Sequence, residues 1–214
     1  ESGNALQDPH GEFKGQNVLY EAHALGETAT RFRVTEKEAR ETLGRAKETL
    51  LRARAGRPAP HLDDKILTDW NGLMIAGFAF ASRVLEEPRY AEAASRAGEF
   101  IFRTLKDKKG RLLHRYRDNE AAIAANLNDY AFLTYVYLAL YETAFDEKWL
   151  ARARDTAAEM RELFWDNERG GFFLTADDAE ALIVRPKEVY DGAVPSGNSM
   201  AALDLLLLAR LTGD

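Results

Sequence analysis

The sequence predicts an all-α fold built of helical hairpins, with β-structure limited to small hairpins in the loops. Three observations predict it: a gap-free internal repeat, an alternation of nearly uncharged and amphipathic segments within each repeat, and turn signals confined to the junctions. The repeat runs from Asp69-Trp70 through Ala93 and recurs 60 residues later, from Asp129-Tyr130 through Ala153. Leu73 then falls on Leu133, Ala79 on Ala139, Glu87 on Glu147 and Ala91 on Ala151. Gly110-Arg111-Leu112-Leu113 falls on Gly170-Gly171-Phe172-Phe173, so the loop repeats along with the helices. A third copy begins near Ser196, pairs Asn198 with Asn71 and is cut after its first helix.

Residues 1–34 read as an irregular N-terminal segment. A helix is expected from Glu36 to Ala55, opened by a capping box of Thr35 and Glu38 and closed by Gly56, with Pro58 beyond. The hairpin repeats extend from about residue 66 to 214. From Trp70 to Leu85 the one charged residue is Arg83, and from Tyr130 to Phe145 it is Glu142. Segments apolar nearly all round need protein on every side, so these are inner helices. The following segments are outer helices. From Arg89 to Leu105 five charges interrupt a stripe of Tyr90, Ala93, Ala97, Phe100 and Ile101, and from Glu147 to Leu163 the stripe is Leu150, Ala153, Ala157 and Met160. Pro88 is a first-turn proline, and Asp146-Glu147 is the equivalent acidic start. Met200 to Leu211 is a third inner helix without an outer partner. Short strands are expected at Leu112–Arg117, Gly171–Thr175 and Leu182–Val184. No linker divides the chain, which reads as a single domain fragment. Hairpins of this kind stack as an open solenoid or curl into a double ring, and the buried inner helices favour the ring.

Composition narrows the function. A net charge of −6 and a pI near 5.4 argue against nucleic acid or an anionic membrane as partner. The basic run around Lys106, Lys108, Lys109 and Arg111 lacks interleaved aromatic residues and reads as a solvated loop. The absence of cysteine removes disulfides, thiolate metal sites and thiol nucleophiles. His10, His23, His61 and His114 form no HxxxH or HxH pair, so no metal site and no cofactor are expected. With no apolar signal core and no run long enough to span a bilayer, a cytoplasmic location is expected.

Three long motifs carry a resemblance: DDKILTDWNGLMI (Asp63 to Ile75), NDYAFL (Asn128 to Leu133) and RPKEVYDGAVPSGNSM (Arg185 to Met200). With GEFKGQNVL (Gly11 to Leu19), they resemble the C-terminal six-hairpin portion of the spermatogenesis-associated, thioredoxin-domain-containing protein family. The resemblance implies a partial (α/α)6 toroid, similar to those of N-acylglucosamine 2-epimerases and six-hairpin glycosidases. It implies a carbohydrate or another small polar ligand. The expected partners are the remaining hairpins and a thioredoxin-like domain of a longer protein, or a second copy of the fragment.

In such a toroid the cavity mouth lies at the N-terminal ends of the inner helices, where unpaired N–H groups favour hydroxyl and anionic ligand groups. The candidate acid and base residues there are Asp64, Asp129 and Asp191, with Lys65 as an alternative proton acceptor. Two carboxylates can divide the roles of acid and base in glycosidase-like or sugar-epimerase-like chemistry. Candidate ligand-binding residues are Trp70, Asn71, Tyr130, Arg185, Lys187, Ser196 and Asn198. The alternative for each is structural: Asp69, Asp129 and Ser196 as helix caps, Asp63 and Asp64 as turn residues beside Lys65, and Trp70 and Tyr130 as core. At the level of function the alternative to a carbohydrate site is a non-catalytic structural or protein-interaction module.

Overall fold

The computed structural model describes residues 10–13, 15, 18–180 and 182–213. The first nine residues, and Lys14, Gln16 and Asn17 of the early motif, lie outside the described residues. The chain divides into two compact units, one within residues 1–62 and one spanning Asp63–Asp214.

The first unit holds two helices, α1 (Leu25–Phe32) and α2 (Glu36–Ala55). Helix α1 corrects the reading of residues 1–34 as irregular. It is two turns long with no side-chain cap, so it lacks the start signal that marks its neighbour. It ends at Arg33 in the left-handed region and buries Ala29, while α2 buries Ala39. The capping box of α2 forms as expected: Glu38 N–H donates to the Thr35 hydroxyl at 3.2 Å, and Thr35 N–H donates to the Glu38 carboxylate at 2.8 Å.

The second unit contains β1 (Ile66–Leu67), α3 (Thr68–Leu85), α4 (Pro88–Thr104), β2 (Leu113–Arg117), β3 (Glu120–Ala124), α5 (Leu127–Ala144), α6 (Glu147–Phe164) and α7 (Gly197–Thr212). Helices α3, α5 and α7 form an inner row, with α5 packed against both of the others, while α4 backs α3 and α6 backs α5. The alternation of the sequence thus becomes two layers. Helix α5 is enclosed: every residue from Asp129 to Leu140 except Tyr135 is buried. Helices α3 and α7 are equally apolar but have an inner neighbour on one side. Trp70, Met74 and Phe80 of α3 and Leu203, Leu206 and Leu211 of α7 are therefore exposed. Ile75, Leu133, Val136, Leu140 and Leu208 reach the core, whereas Leu73, Phe78 and Leu205 pack against its edge. On the outer layer, a Cβ at Gly98 would fall 2.9 Å from Leu140 and 3.4 Å from the Trp149 ring, so this glycine lets α4 close onto its neighbours.

The strands form one antiparallel sheet in the order β1-β2-β3, with Leu67 opposite Arg115 and Arg115 opposite Ala122. The expected strand at Leu112–Arg117 is present from Leu113. Its partners, Ile66–Leu67 and Glu120–Ala124, were not legible: one is two residues long and the other is alanine-rich. Asp118 and Asn119, with φ of 52° and 62°, supply the two positive φ angles of a two-residue hairpin turn. The strands expected at Gly171–Thr175 and Leu182–Val184 do not form. Apart from one bridge between Trp165 and Phe172, the first segment bonds irregularly, with Phe173 N–H to Phe164 O and Leu174 N–H to Pro186 O. In the second, Leu182, Ile183 and Val184 are all exposed.

Helix α7 buries Asp204 completely, and among the described residues neither carboxylate oxygen has a hydrogen-bond partner. Burial pushes its pKa up to about 8. A folded value above the unfolded one, about 3.9, means that the neutral acid favours folding and ionisation opposes it. The contribution is complete below the unfolded value and is lost as pH rises through about 8. Asp204→Asn should therefore gain on the wild type between pH 5 and pH 8 and hold a constant advantage above, as read from urea midpoints. The exposed faces of α3 and α7 give a second expectation, that the 214-residue chain self-associates. Sedimentation showing a monodisperse monomer at all concentrations would contradict it.

Candidate functional site

The three inner helices begin side by side. Asp69 N–H, in the first turn of α3, donates to the Asp129 carboxylate in the first turn of α5 at 3.1 Å. On the other flank, a Cβ at Gly197 would fall 2.4 Å from Asn128 Oδ1 and 2.8 Å from Leu127 Cγ, so glycine at the start of α7 permits its approach to α5. Repeat-equivalent positions thereby meet at one end of the row.

Asp129 is the centre of this end. It is fully buried, and its two oxygens accept from Asp69 N–H, from Asn126 N–H at 2.9 Å and from His114 Nδ1 at 2.9 and 3.0 Å. Asp129 is not the helix cap. Asn126 is the N-cap of α5, accepting from Asn128 and Asp129 N–H, and Asp129 is the third-residue partner of a reciprocal capping box. Nor is Asp69 a cap, since Leu67 holds that position on α3 and Asp69 Oδ1 accepts from Trp70 N–H at 2.7 Å. His114 arrives from β2, whose placement is fixed by its pairing with β1 and by the Thr68 hydroxyl donating to Leu113 O at 2.7 Å.

The electrostatics follow from the geometry. The hydrogen bond to Asp129 holds the His114 pKa above its ordinary value, against the opposing effect of burial. Burial, followed by the repulsion of Asp129, raises that of Asp69. Asp69, His114 and Asp129 offer ligand atoms within 4.8 Å of one another. Both Asp129 oxygens already accept N–H donors, however, and His114 Nδ1 faces the carboxylate, so the arrangement is a satisfied hydrogen-bond network.

The other residues predicted from sequence have separate partners. Asp64 pairs with Arg117 at 2.8 Å, on the face of β2 opposite His114, and Lys65 pairs with Asp63. Asp191 accepts from Ser196 N–H at 2.9 Å, and Ser196 caps α7 by accepting from Ser199 N–H. Asn71 donates to Leu67 O. Asn198 accepts from Phe172 N–H and donates to the carbonyls of Phe172 and Glu188, pinning the preceding loop to the start of α7. Trp70 is 64% exposed, whereas Tyr130 is buried with its hydroxyl on Glu159 of α6. Arg185 and Lys187 both lie over the Phe173 ring, Arg185 donating to Thr175 O and Lys187 to Asp166 and Gly170 O. His114, Asn126 and Asp166 were missed. The spacing Asn126-x-x-Asp129 is a capping-box signal and could have exposed Asn126. Nothing local distinguishes His114, whose role depends on a strand packing across two helix starts.

No family model matches the chain. It is 38% identical over its whole length to spermatogenesis-associated protein 20 of Homo sapiens, and 35% identical over 97% of its length to an uncharacterised protein of Caenorhabditis elegans. The chain spans 29% and 30% of the length of these relatives. Among solved structures it is similar to a cellobiose 2-epimerase from Spirochaeta thermophila, with a TM-score of 0.57 and 18% identity over 70% of this chain and 39% of that one. It is similar to a D-mannose isomerase, with a TM-score of 0.60 and 13% identity over 72% and 42%. An α-1,6-mannanase from Salegentibacter sp. gives a TM-score of 0.56 and 18% identity over 89% and 53%. These likenesses show the fold, an α/α toroid of the six-hairpin type.

The network fixes what replacing Asp129 does. Asparagine has one acceptor oxygen for three N–H donors and turns an amide N–H₂ toward the others. Asp129→Asn should therefore cost about 1–3 kcal/mol, partly offset by relief of the repulsion on Asp69. The raised folded value of His114 contributes stability that is present below its unfolded value and is lost as pH rises through the folded one. The gap between wild type and variant should accordingly narrow from pH 6 to pH 9 in chemical denaturation. A gap that is constant with pH would show that Asp129 gives protonated His114 no extra stability in the folded state.

Proposed function

Proceeding from the relation of this chain to one segment of spermatogenesis-associated protein 20, we propose that it forms part of a carbohydrate-active or carbohydrate-binding α/α toroid with an acid/base site at the starts of its inner helices. The observation that carries the reading is the buried Asp129 carboxylate bonded to His114 beside a second acid, Asp69. A carboxylate that accepts a hydrogen bond from Nδ1–H fixes the tautomer of the imidazole and leaves Nε2 as the atom that exchanges a proton with a ligand. Asp69, with its pKa raised by burial and by Asp129, is suited to hold a proton where an exposed aspartate would have lost it. Together they supply a base and an acid, the pair that sugar isomerisation, epimerisation and glycosidic cleavage all use. Trp70, exposed in the first turn of α3, offers a face for a sugar ring. In the complete protein, further hairpins cover the exposed sides of α3 and α7 and close the wall around these groups.

A second reading has its own observation in support. Every acceptor site of Asp129 used by the network serves the junction of α3, α5 and β2, as a purely structural lock would. In that case the chain is a structural or interaction module of a longer protein.

The complete gene product, assayed on a saccharide panel for binding and turnover, separates the two. His114→Gln retains the size and hydrogen-bonding capacity of the side chain but not its proton exchange, and should lower turnover by on the order of 100-fold or more with the fold intact. Unchanged turnover in His114→Gln, or no saccharide bound at all, would leave the structural lock as the explanation.

A further inference from the structure

A second polar site lies outside the Asp129 network. Between the end of α6 and the loop that leads to α7 is a cleft of about 680 Å³, bordered by Trp165, Asp166, Arg169, Phe173, Arg185 and Lys187. It sits at the same end of the hairpin row as the network. Leu127 N–H, at the start of α5, donates to Leu174 O at 3.0 Å, and Asn198 of α7 clamps Phe172 on the same loop.

The charges here are unequally committed. Asp166 is consumed: it accepts from Lys187 and from the backbone N–H groups of Glu168 and Arg169. Lys187 is spent in turn on Asp166 and Gly170 O. Arg185 is not. Its guanidinium lies over the Phe173 ring at 4.2 Å and, among the described residues, donates once, from one terminal nitrogen to Thr175 O. A cation fixed in place with donors unspent, at the border of an open cleft, has the fork geometry that carboxylate and phosphate groups take up. Trp165, 38% exposed and braced edge-on against Phe172 at 5.0 Å, supplies a flat apolar wall beside it.

We propose that this cleft binds the acidic group, carboxylate or phosphate, of an anionic saccharide on Arg185, with the sugar ring against Trp165. The proposal rests on the carbohydrate reading above and narrows it to acidic sugars. Glu168, exposed on the border, is the acid there whose carboxylate has no ion-pair partner among the described residues, and it should weaken the site by repulsion.

Calorimetric titration of the complete gene product with glucuronate, glucose 6-phosphate, glucose and inorganic phosphate tests it. At least one acidic sugar should bind tenfold or more tighter than both glucose and inorganic phosphate, and the better of the two identifies the acidic group. Arg185→Met should lose at least tenfold of that affinity. Glu168→Gln, a surface change that leaves the fold alone, should raise it severalfold, and this variant decides the matter if Arg185→Met does not fold. Glucose binding as tightly as the acidic sugars would overturn the proposal and leave the carbohydrate reading standing. Inorganic phosphate matching the better of the two acidic sugars, no binding by any probe, or an unchanged affinity in Glu168→Gln would also overturn it, while turnover in His114→Gln continues to report on the carbohydrate reading separately.

Discussion

The end of the molecule that matters depends on one buried carboxylate. Asp129 is inaccessible to solvent, and a carboxylate in that position is tolerable because N–H donors replace the water it has lost. Those donors come from three elements: Asn126 from its own helix start, Asp69 from the neighbouring inner helix and His114 from the sheet. Removing any one leaves an acceptor short and lets that element shift. The same carboxylate satisfies a helix N-terminus, fixes the distance between two inner helices and orients an imidazole. Structure and candidate chemistry therefore share a single group, so substitutions at Asp129 change stability and site together. His114, one bond further out, is where the two can be separated.

The inner helices obey a different constraint. A helix without a polar face has to be surrounded, and α5 is, by α3, α6 and α7. Helices α3 and α7 are comparably apolar but have an inner neighbour on one side only, which is why Phe80 and Leu206 lie in the open at 61% and 71% exposure. The chain matches 39% of the length of the cellobiose 2-epimerase whose fold it shares. Asp204 marks the limit of tolerance in this layer, a buried acid inside an inner helix whose oxygens have no partner among the described residues.

What could be read from the sequence was what periodicity and local signals encode. The inner and outer helices and the capping box of α2 fall within a few residues of their expected bounds, because charge-free and striped segments differ in ways visible within a single turn. Residues 25–32 and the sheet were harder. Helix α1 has no side-chain cap at its start, β1 is two residues long and is defined by its partner, and β3 is alanine-rich, with Ile123 its one β-branched residue. The phenylalanine-rich segment after Gly170 has strand composition, yet its backbone groups bond to Phe164, Pro186 and the start of α5 instead of a neighbouring strand. The site was legible as a location and less so as a set of residues. Repeat alignment brings Asp69 and Asp129 to equivalent positions, and the structure makes them neighbours. Nothing in one dimension says that a histidine 15 residues before Asp129 will turn back onto it.

The two polar features at the inner-helix starts differ in how they treat charge. The Asp129 network is closed: its groups are buried or half-buried and bonded to one another, and the pKa values of Asp69 and His114 are shifted by burial and by proximity, conditions under which a proton can be held or passed. The Arg185 cleft is open: its cation is positioned by stacking on Phe173 while donors remain unspent, conditions under which a solute anion is captured. The first arrangement suits reaction and the second suits binding, and neither is economical as a surface ornament. A loop held simultaneously to the starts of α5 and α7 by Leu174 and Asn198 keeps both features at the same end of the hairpin row.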